Sequence, residues 1–492
     1  MSAPGLSAVV VLAAGIGSRM RGAAPKVLHE IGGRSLLGHV LAATGPLEAD
    51  QRLVVVGAGR EAVIEHLSRI APDAEPVVQD AQLGSGHAAR VALDVVQQPG
   101  PVLILNGDVP LLTTGTISAM VAAHLASGAA MTLLTARVES PHGLGRIVRD
   151  ATGAPVGVVE DRDADPEQLS IQEINAGAYV ADGATLASVL DRLGSANAQG
   201  EQYLTDAVAL FVEDGRPVAA HVTADSVEVA GCNDRIELAA LGRALNQRIL
   251  NQHMAAGVTI VDPATTWVDV GVRLGRDVHL LPGTQLHGST SVAQDAIIGP
   301  DSTLVDCVVG NGACVVRTHG LGAEIGPGTA VGPFTFLRPG TRLGAEAKAG
   351  AFVEIKNSEI GLGSKVPHLS YVGDATIGDH TNIGAATVFV NYDGVDKHQS
   401  TIGSHARTGA DNMFVAPVTV GDGAYTAAGS VITEDVPPGA MGVARARQRN
   451  IPGWVRLRRA GSAAAEAARA AGESSSGASS PTLASSDAEE ER

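Results

Sequence analysis

The amino-acid sequence predicts an α/β domain with a mixed, mostly parallel sheet, followed by a parallel β-helix of hexapeptide repeats. In the first half, short aliphatic runs alternate with helical patterns, which is typical of a doubly wound sheet. In the second half, an aliphatic residue followed by glycine recurs, and several of the steps are six residues long. The length of 492 residues exceeds what one hydrophobic core usually supports, so we expect more than one domain.

The aliphatic runs of the first half are short and rich in β-branched residues, as strands buried on both faces should be. We predict strands at 8–12, 53–56, 102–105, 131–136 and 156–159. Helical patterns lie between them at 36–43, 62–70, 86–96 and 116–127. In such a sheet, ligands bind at the carboxyl ends of the strands.

A long helical pattern separates two domains that we place at 1–233 and 257–459. It covers 234–256, and we interpret it as a connector. The alternative is one more helix packed on the first domain. The final segment, 460–492, is rich in alanine, serine and acidic residues and has no aliphatic periodicity, so we expect a disordered tail.

Two registers of residues spaced by six support the β-helix. This period gives each face of a prism one short strand and one tight turn, and it stacks the aliphatic residues into columns. A β-sandwich is the alternative, but its strands would alternate with a period of two. The insertion FVNYDGVDKHQS interrupts the count and should leave the coil as a loop. The registers are Ile325, Val331, Leu337, Leu343, Ala349 and Ile355, then Ile402, Thr408, Phe414 and Val420.

Composition narrows the function classes. A net charge of −17 argues against a general nucleic-acid binder, which needs a basic surface. The opening residues lack the basic start of a signal peptide, and their apolar run is too short to span a membrane. Three cysteines form neither a disulfide framework nor a zinc pattern, so we expect reduced thiols and a cytoplasmic protein.

A glycine-rich turn, LAAGIGSRM, follows the first predicted strand. Gly15 and Gly17 would let backbone N–H groups approach a phosphate closely. A dinucleotide fingerprint would need glycine where Met20 stands, and no Gly-Lys-Ser/Thr follows for a P-loop. Arg19 and Lys26 suit a polyphosphate. The alternative is an ordinary turn with solvated surface cations.

Asp108 follows the strand predicted at 102–105, in the motif NGDVPLL. A carboxylate at the end of a central strand is where a metal-bound nucleotide should lie. One carboxylate holds Mg²⁺ poorly, so substrate phosphates and another oxygen ligand should complete the coordination.

Charged and aromatic side chains stand out against the small residues of the predicted coils. Arg338 and Lys356 suit the phosphate of a sugar phosphate. His368 suits a general base, because the ordinary pKa of imidazole lies closest to neutrality. Tyr371 and the loop pair Asn391-Tyr392 lie near them in the sequence. Without these neighbours, a lone histidine would more often be structural.

The motifs LAAGIGSRM, PKVLHEIGGRSLL, QLGSGHA, NGDVPLL, GRIVRD, EINAGAYV and EQYLTD occur in the order seen in bacterial sugar-nucleotide pyrophosphorylases. With the hexapeptide half, the chain resembles the bifunctional N-acetylglucosamine-1-phosphate uridyltransferases / glucosamine-1-phosphate N-acetyltransferases from about residue 8 to residue 454. The resemblance implies a Rossmann-like nucleotidyltransferase domain and a left-handed β-helix. It also implies UTP and acetyl-CoA as co-substrates, Mg²⁺ as cofactor and a homotrimer with acetyl-CoA between subunits.

The resemblance implies roles for named residues in the first domain. Arg19 and Lys26 would stabilise the leaving pyrophosphate, and Asp108 and Asn233 would bind Mg²⁺. The residues implied to bind the nucleotide and its base are Leu12, Ala13, Ala14, Gly15, Lys26, Gln79, Gly84, Ser85, Asn106 and Gly107. Those implied to line the sugar pocket are Gly145, Glu160, Asn175 and Thr205, and Asn233 also contacts the nucleotide-sugar.

In the second domain, the resemblance implies His368 as the general base. The residues implied to place glucosamine 1-phosphate are Arg338, Lys356, Tyr371 and Asn382. Those implied to bind acetyl-CoA are Ala385, Asn391, Tyr392, Ala410, Ala428 and Arg445.

Some positions depart from the family pattern. Ser18 and Ser85 replace a frequent threonine, Asn106 stands where some members have tyrosine, and Ala410 replaces a frequent serine. From sequence alone, Asn233 is as compatible with a helix N-cap as with a metal ligand. Two other functions remain open, namely a pyrophosphorylase that makes ADP- or GDP-sugars and a scaffold that binds nucleotide-sugars without turnover.

Overall fold

The computed structural model describes residues 5–475, with side chains up to residue 472. A central sheet organises the first domain. Its strands are β1 (Leu6–Ala13), β2 (Ala49–Val56), β3 (Glu75–Val78), β4 (Pro101–Asn106), β5 (Met131–Arg137), β6 (Arg146–Arg149), β7 (Pro155–Val159), β8 (Glu173–Asp182) and β9 (Val218–Val222).

The main strand order is β9-β5-β8-β4-β1-β2-β3, and the sheet is mixed and mostly parallel. Strand β8 runs antiparallel to β4 and β5, in the middle of the sheet. Strands β1 and β4 are adjacent and parallel, so their carboxyl ends lie side by side. This positions the glycine-rich turn next to the NGD motif. Hydrophobic clusters cover both faces of the sheet.

Helices pack on this sheet, and most predicted bounds agree within a few residues. The predicted helix at 86–96 ends earlier, at Leu93. The helices of the first domain are α1 (Leu36–Thr44), α2 (Arg60–Ile70), α3 (Ser85–Leu93), α4 (Thr114–Ser127), α5 (Pro166–Leu169), α6 (Gly183–Leu190) and α7 (Ala207–Glu213). Helix α8 (Arg235–Ala255) follows this domain, and α9 (Trp454–Arg458) and α10 (Ala463–Ser475) follow the second domain. Short 3-10 turns span Ser18–Met20, Lys26–Leu28, Leu204–Asp206 and Ser226–Val229, and a hairpin joins Glu30–Ile31 to Arg34–Ser35.

One predicted strand takes a different role. Strand β7 is not a doubly buried parallel strand, because it pairs antiparallel with β6 at the periphery of the sheet. Only two of its five residues are buried. An apolar run with a glycine in its middle reads as a core strand, yet here it forms one side of a hairpin above the sheet.

The second domain is a left-handed parallel β-helix. Within the described chain its first sheet contains Thr259–Ile260, His279–Leu280, Ile297–Ile298, Cys314–Val315, Ala330–Val331, Lys348–Ala351 and Lys365–His368. Its second sheet contains Trp267–Val268, Gln285–His287, Thr303–Val305, Thr318–Leu321, Thr335–Leu337, Glu354–Lys356, Tyr371–Gly373, Val388–Val390, Met413–Val415 and Val431–Ile432. Its third sheet contains Arg273–Leu274, Ser291–Val292, Val308–Val309, Glu324–Ile325, Arg342–Leu343, Glu359–Ile360, Ala375–Ile377, Ser400–Ile402 and Val418–Val420. Tyr425–Thr426 and Met441–Gly442 form a further parallel pair.

Both predicted six-residue registers point into this β-helix. All members are buried, including Thr408, the polar one. The Thr408 hydroxyl accepts a hydrogen bond of 2.8 Å from the Gly384 N–H of the preceding coil, which satisfies it inside the column. The inserted loop leaves the coil between Val388–Val390 and Ser400–Ile402, as predicted.

Helix α8 contacts both domains. The Arg248 guanidinium donates to the Leu111 carbonyl of the first domain at 2.8 Å. The Asn246 amide bonds the first coil twice, donating to the Thr266 carbonyl and accepting from the Val268 N–H. The buried leucines and the buried isoleucine of α8 belong to the same hydrophobic cluster as the core of the β-helix.

The prediction that disorder begins at residue 460 is wrong for Ala463–Ser475, which forms α10. Alanine is the strongest helix former, and the segment AAAEAARAA lets Ala465 bury against the preceding turn. The remainder of the predicted tail, 476–492, lies outside the described residues.

Removal of the chain after Ala460 should leave the two activities expected from the sequence, and the melting temperature, nearly unchanged. Helix α10 packs against α9, and its residues up to 472 are exposed except Ala465, so it buries little apolar area. Activity assays and thermal melts of the truncated and full-length proteins test this. A clear loss of either activity or of stability would mean that the removed segment supports a catalytic domain.

Candidate active sites

A cleft of about 620 Å³ lies at the carboxyl ends of β1 and β4. Its lining includes twelve of the predicted residues, which are Leu12, Ala13, Ala14, Gly15, Arg19, Lys26, Gln79, Gly84, Ser85, Asn106, Asp108 and Asn233. Gly107 lies behind this wall, where its N–H donates to the Leu12 carbonyl at 2.9 Å. The predicted nucleotide residues are therefore brought together from five separate segments of the chain.

The glycine-rich turn is shaped by its neighbours. Gly17 has φ +63°, and a Cβ there would lie 2.6 Å from the Cβ of Lys26. Only glycine lets the turn close on Lys26 in this way. The Lys26 ammonium forms an ion pair with the Asp108 carboxylate, and both side chains are largely buried. A cation is thereby held at the end of the two central strands.

Asn233 belongs to the cleft and does not cap α8. The N-cap is Asp234, whose carboxylate accepts from the N–H groups of Ile236 and Glu237. The Asn233 amide oxygen accepts instead from the Arg19 guanidinium at 2.8 Å. The backbone of Cys232 donates to the Asp108 carbonyl at 3.0 Å, which keeps the segment beside Asp108.

These oxygens suit a hard cation. Asp108 supplies a carboxylate and Asn233 an amide oxygen, and Mg²⁺ prefers such donors together with phosphate oxygens. Within residues 5–475, no group of three or more His, Cys, Asp and Glu side chains forms a complete metal cage. A site that relies on substrate phosphates does not need one.

The residues Gln79, Gly84 and Ser85, which are predicted to contact the base, pack closely against neighbouring backbone. Gly84 has φ +112°, and a Cβ there would lie 2.5 Å from the Gln202 carbonyl. The Gln79 amide is buried and donates to the Gly84 carbonyl at 3.1 Å. The Ser85 hydroxyl accepts from the Leu204 N–H at 3.0 Å, so the loop before α3 and the segment at Leu204 hold each other.

The predicted sugar residues adjoin one another next to this cleft. Thr205 donates to Glu160 at 3.1 Å, and Gly145 lies against the same carboxylate. The Asn175 amide donates to the buried Tyr179 hydroxyl at 2.7 Å, and its backbone N–H bonds the Gly145 carbonyl. The four residues thus share one connected wall.

The β-helix carries its predicted residues on two corners of the prism. Arg338 and Lys356 lie at the carboxyl ends of two successive strands of the second sheet, and Asn391 lies at the same edge two coils after Lys356. The Arg338 guanidinium pairs with Glu354 at 2.9 Å. The Lys356 ammonium pairs with Asp374 at 3.1 Å. Tyr371 lies on the same face, with its hydroxyl folded over Gly373.

His368 lies at the other corner, where the first sheet turns into the second. It is exposed at the end of the strand Lys365–His368. The buried Ser370 hydroxyl donates to its carbonyl at 2.7 Å and holds the turn. Asn382 lies in the next coil, where its backbone forms a parallel bridge with Lys365 at the start of the same strand. Within one subunit, the width of the second sheet, about 10 Å, separates this corner from the one with Lys356.

The predicted acetyl-CoA residues continue the corner of His368. The Ala386 N–H bonds the His368 carbonyl, and in the following coils Asp411 bonds Ala385 and Gly429 bonds Ala410. The small residues Ala385, Ala410 and Ala428 are thereby stacked coil above coil. The Arg445 side chain lies beside Gly429, while Tyr392 is exposed in the loop on the opposite corner. A column of small, partly exposed residues with an arginine at its end leaves room for a long phosphorylated ligand along this corner.

Comparison with known proteins covers both domains. A family model described as the MobA-like NTP transferase domain matches residues 9–172. The chain is 56% identical to a bifunctional protein GlmU of Streptomyces coelicolor, over 96% of this chain and 98% of that protein. It is 54% identical to that of Corynebacterium efficiens, over 94% of this chain and 97% of that protein. This chain belongs to the bifunctional GlmU family. The GlmU of Mycolicibacterium vanbaalenii is similar too, at 55% identity over 93% of this chain.

In this GlmU family member, the cleft includes residues that sequence reasoning missed. Gln82 donates to the Ala14 carbonyl at 2.8 Å and closes one side. Arg162, Gln199 and Glu201 also line the cleft. Gln82 stands inside the motif QLGSGHA, so a signal existed for it. Glu201 likewise opens the motif EQYLTD. Arg162 and Gln199 have no such signal, because only the folding of the chain brings them to the cleft.

No helix among residues 5–475 of this GlmU family member is long and apolar enough to cross a membrane. Its cysteines Cys232, Cys307 and Cys314 are free thiols, as predicted.

Replacing Glu160 by glutamine should raise the melting temperature at neutral pH and lower uridyl transfer. Burial raises the pKa of Glu160, and the carboxylates of Asp206 and Asp163 raise it further. A folded-state pKa above the unfolded value favours the protonated form, so stability is lost as the pH rises through that pKa. The neutral amide avoids this loss and can still accept from Thr205.

Melting curves of both proteins between about pH 4 and pH 8 test this. The advantage of the variant should shrink toward the acid end, where Glu160 becomes protonated in the folded state and increasingly so in the unfolded state. The exposed Glu167→Gln is a matched control and should not change the melting temperature. An advantage that is independent of pH would contradict the argument.

Proposed function

We propose that the cleft of the first domain is the uridyltransferase site and that the corners of the β-helix form the acetyltransferase site. The protein is a bifunctional enzyme of UDP-N-acetylglucosamine synthesis. It acetylates glucosamine 1-phosphate with acetyl-CoA, transfers UMP from UTP to N-acetylglucosamine 1-phosphate, and releases pyrophosphate. The product feeds peptidoglycan and other cell-envelope synthesis. Family membership across both domains is the observation that carries this function.

In the first site, the phosphate of the sugar attacks the α-phosphorus of UTP in line, and pyrophosphate leaves. Lys26 and Arg19 are already directed at the cleft by Asp108 and Asn233, so they can neutralise the charge that develops on the leaving group. Mg²⁺, held by Asp108 and Asn233, would supply further neutralisation of phosphate charge. Glu160, Asn175, Thr205 and Gly145 hold the sugar.

In the second site, the amine of glucosamine 1-phosphate attacks the thioester carbonyl of acetyl-CoA. His368 accepts a proton from the amine, and the C–S bond breaks to release CoA. Arg338, Lys356, Tyr371 and Asn382 place the sugar phosphate.

We propose a homotrimer because one subunit separates the parts of this site. His368 and the column of Ala385, Ala410 and Ala428 lie at one edge of the second sheet. Lys356 lies at its opposite edge. Packing of a neighbouring β-helix would bring the base of one subunit to the phosphate-binding cations of the next. Acetyl-CoA then lies between subunits, and we place the enzyme in the cytoplasm, where both co-substrates are made.

Product assays test the function. UTP with N-acetylglucosamine 1-phosphate should give UDP-N-acetylglucosamine and pyrophosphate, and acetyl-CoA with glucosamine 1-phosphate should give free CoA. Turnover with ATP or GTP instead of UTP would favour another sugar-nucleotide pyrophosphorylase. Binding of nucleotide-sugar with no turnover in either assay would favour a scaffold.

A further inference from the structure

We propose that Asp374 is a positioning residue of the acetyltransferase site, which sets the Lys356 ammonium and the root of the loop 391–399. The inference rests on the proposed acetyltransferase function. No part of the sequence pattern points to Asp374, which stands in the ordinary coil segment VGDATIG.

The Asp374 carboxylate gathers three side-chain donors. Its Oδ1 accepts from the Asn357 amide at 2.7 Å. Its Oδ2 accepts from the Lys356 ammonium at 3.1 Å and from the Asn391 amide. Asp374 as a whole residue is only 9% exposed, so these hydrogen bonds replace the water that would otherwise solvate its carboxylate. Two of its three partners are residues with a proposed role in binding substrate.

The position of Asp374 in the coil explains this arrangement. It occupies the corner between the second and third sheets with φ +51°, and Asn357 occupies the same corner one coil before it with φ +43°. Asn391 follows at this corner one coil later, where the chain leaves the coil as the loop. The two amides therefore enclose the carboxylate from above and below. The loop that carries Tyr392 starts from this contact.

The charges support a positioning role. Burial by itself would raise the pKa of Asp374, but hydrogen bonds from Asn357 and Asn391 and the Lys356 ammonium outweigh it and lower the pKa. The carboxylate thus remains ionised and holds the otherwise flexible lysine in one place. A lysine held at a fixed point binds a phosphate without losing the freedom of its long side chain on binding.

The test is Asp374→Asn, which keeps the shape but turns an N–H₂ group toward one of the three donors. We expect kcat/KM for acetyl transfer to fall about 10-fold or more, with a raised KM for glucosamine 1-phosphate. Uridyl transfer by the same sample should stay unchanged, because it takes place in the other domain, and an unchanged melting curve shows that the β-helix is folded. In a Lys356→Met background the same change should cost less than about 3-fold, because residues that act through one contact are not additive.

Asp306→Asn is the matched control. Asp306 occupies the same corner with φ +52° and bonds the preceding coil through Ser289, but it lies four coils from Asp374 and away from the site. It should leave acetyl transfer unchanged. If Asp374→Asn does not fold, Asn357→Gly removes one partner of the carboxylate without backbone strain and should raise the same KM.

Equal losses in the wild-type and Lys356→Met backgrounds, or an unchanged KM in a folded Asp374→Asn protein, would overturn the inference. Absence of acetyl transfer by the wild-type protein would instead overturn the proposed function.

Discussion

Replacing His368 by alanine should lower the rate of acetyl transfer by about 10²–10⁴-fold, the usual contribution of a general base. The imidazole is exposed at the corner where the column of Ala385, Ala410 and Ala428 begins, and within the described chain the only side-chain hydrogen bond to His368 is accepted by its backbone carbonyl. It is therefore free to accept a proton. Uridyl transfer should stay unchanged, because the cleft with Asp108 lies in the other domain.

His279→Ala is the matched control for this variant. His279 is exposed on the same sheet of the prism, several coils away from His368, and its loss should not affect acetyl transfer. Binding of glucosamine 1-phosphate by the His368 variant should survive, because Arg338, Lys356 and Tyr371 remain. Near-normal acetyl transfer by a folded His368 variant would mean that another group is the base.

Replacing Asp108 by alanine should lower uridyl transfer by about 10²-fold or more and leave acetyl transfer largely intact. The substitution removes the one carboxylate at the end of β4 and leaves Lys26 without its partner. The variant would lose a ligand of the proposed metal site. It would also lose the ion pair that orients the Lys26 ammonium toward the leaving pyrophosphate. Coupled assays of pyrophosphate and CoA release measure the two activities in one preparation.

The exposed Asp73→Ala, which breaks only a surface ion pair with Arg52, should leave both activities unchanged. Loss of both activities in a folded Asp108 variant would contradict the assignment of one site to each domain.

Several features of the fold could be predicted because they depend on local pattern. The six-residue spacing of Ile325 to Ile355 specifies a buried column whatever the rest of the chain does, and the structure buries every member. The same spacing located the loop that leaves the coil after Val390. The strand ends at Ala13 and Asn106 placed the glycine-rich turn beside Asp108, because neighbouring parallel strands end at one edge.

Other features escaped prediction for physical reasons. Asparagine and aspartate can each serve as a cap or as a ligand, so the sequence could not separate the roles of Asn233 and Asp234. The hydrogen bonds of the folded chain distinguish them, because Arg19 donates to Asn233 while the first turn of α8 donates to Asp234. A short alanine-rich helix is marginally stable on its own, and α10 gains stability because Ala465 is buried where α10 packs against α9. Asp374 is one aspartate among many at corners, and its partners are brought together by stacking.

The sequence by itself determined the two fold classes, the repeat register, the order of the motifs and the residue types at both sites, because these depend on periodicity and on chemistry within short segments. Only the tertiary structure decided which charges pair, as Lys26 does with Asp108 and Lys356 with Asp374. It also decided that His368 and Lys356 lie on different corners of one prism. Contacts between distant segments depend on how the chain closes in three dimensions, and the free energy that selects them comes from burial and pairing across the whole fold.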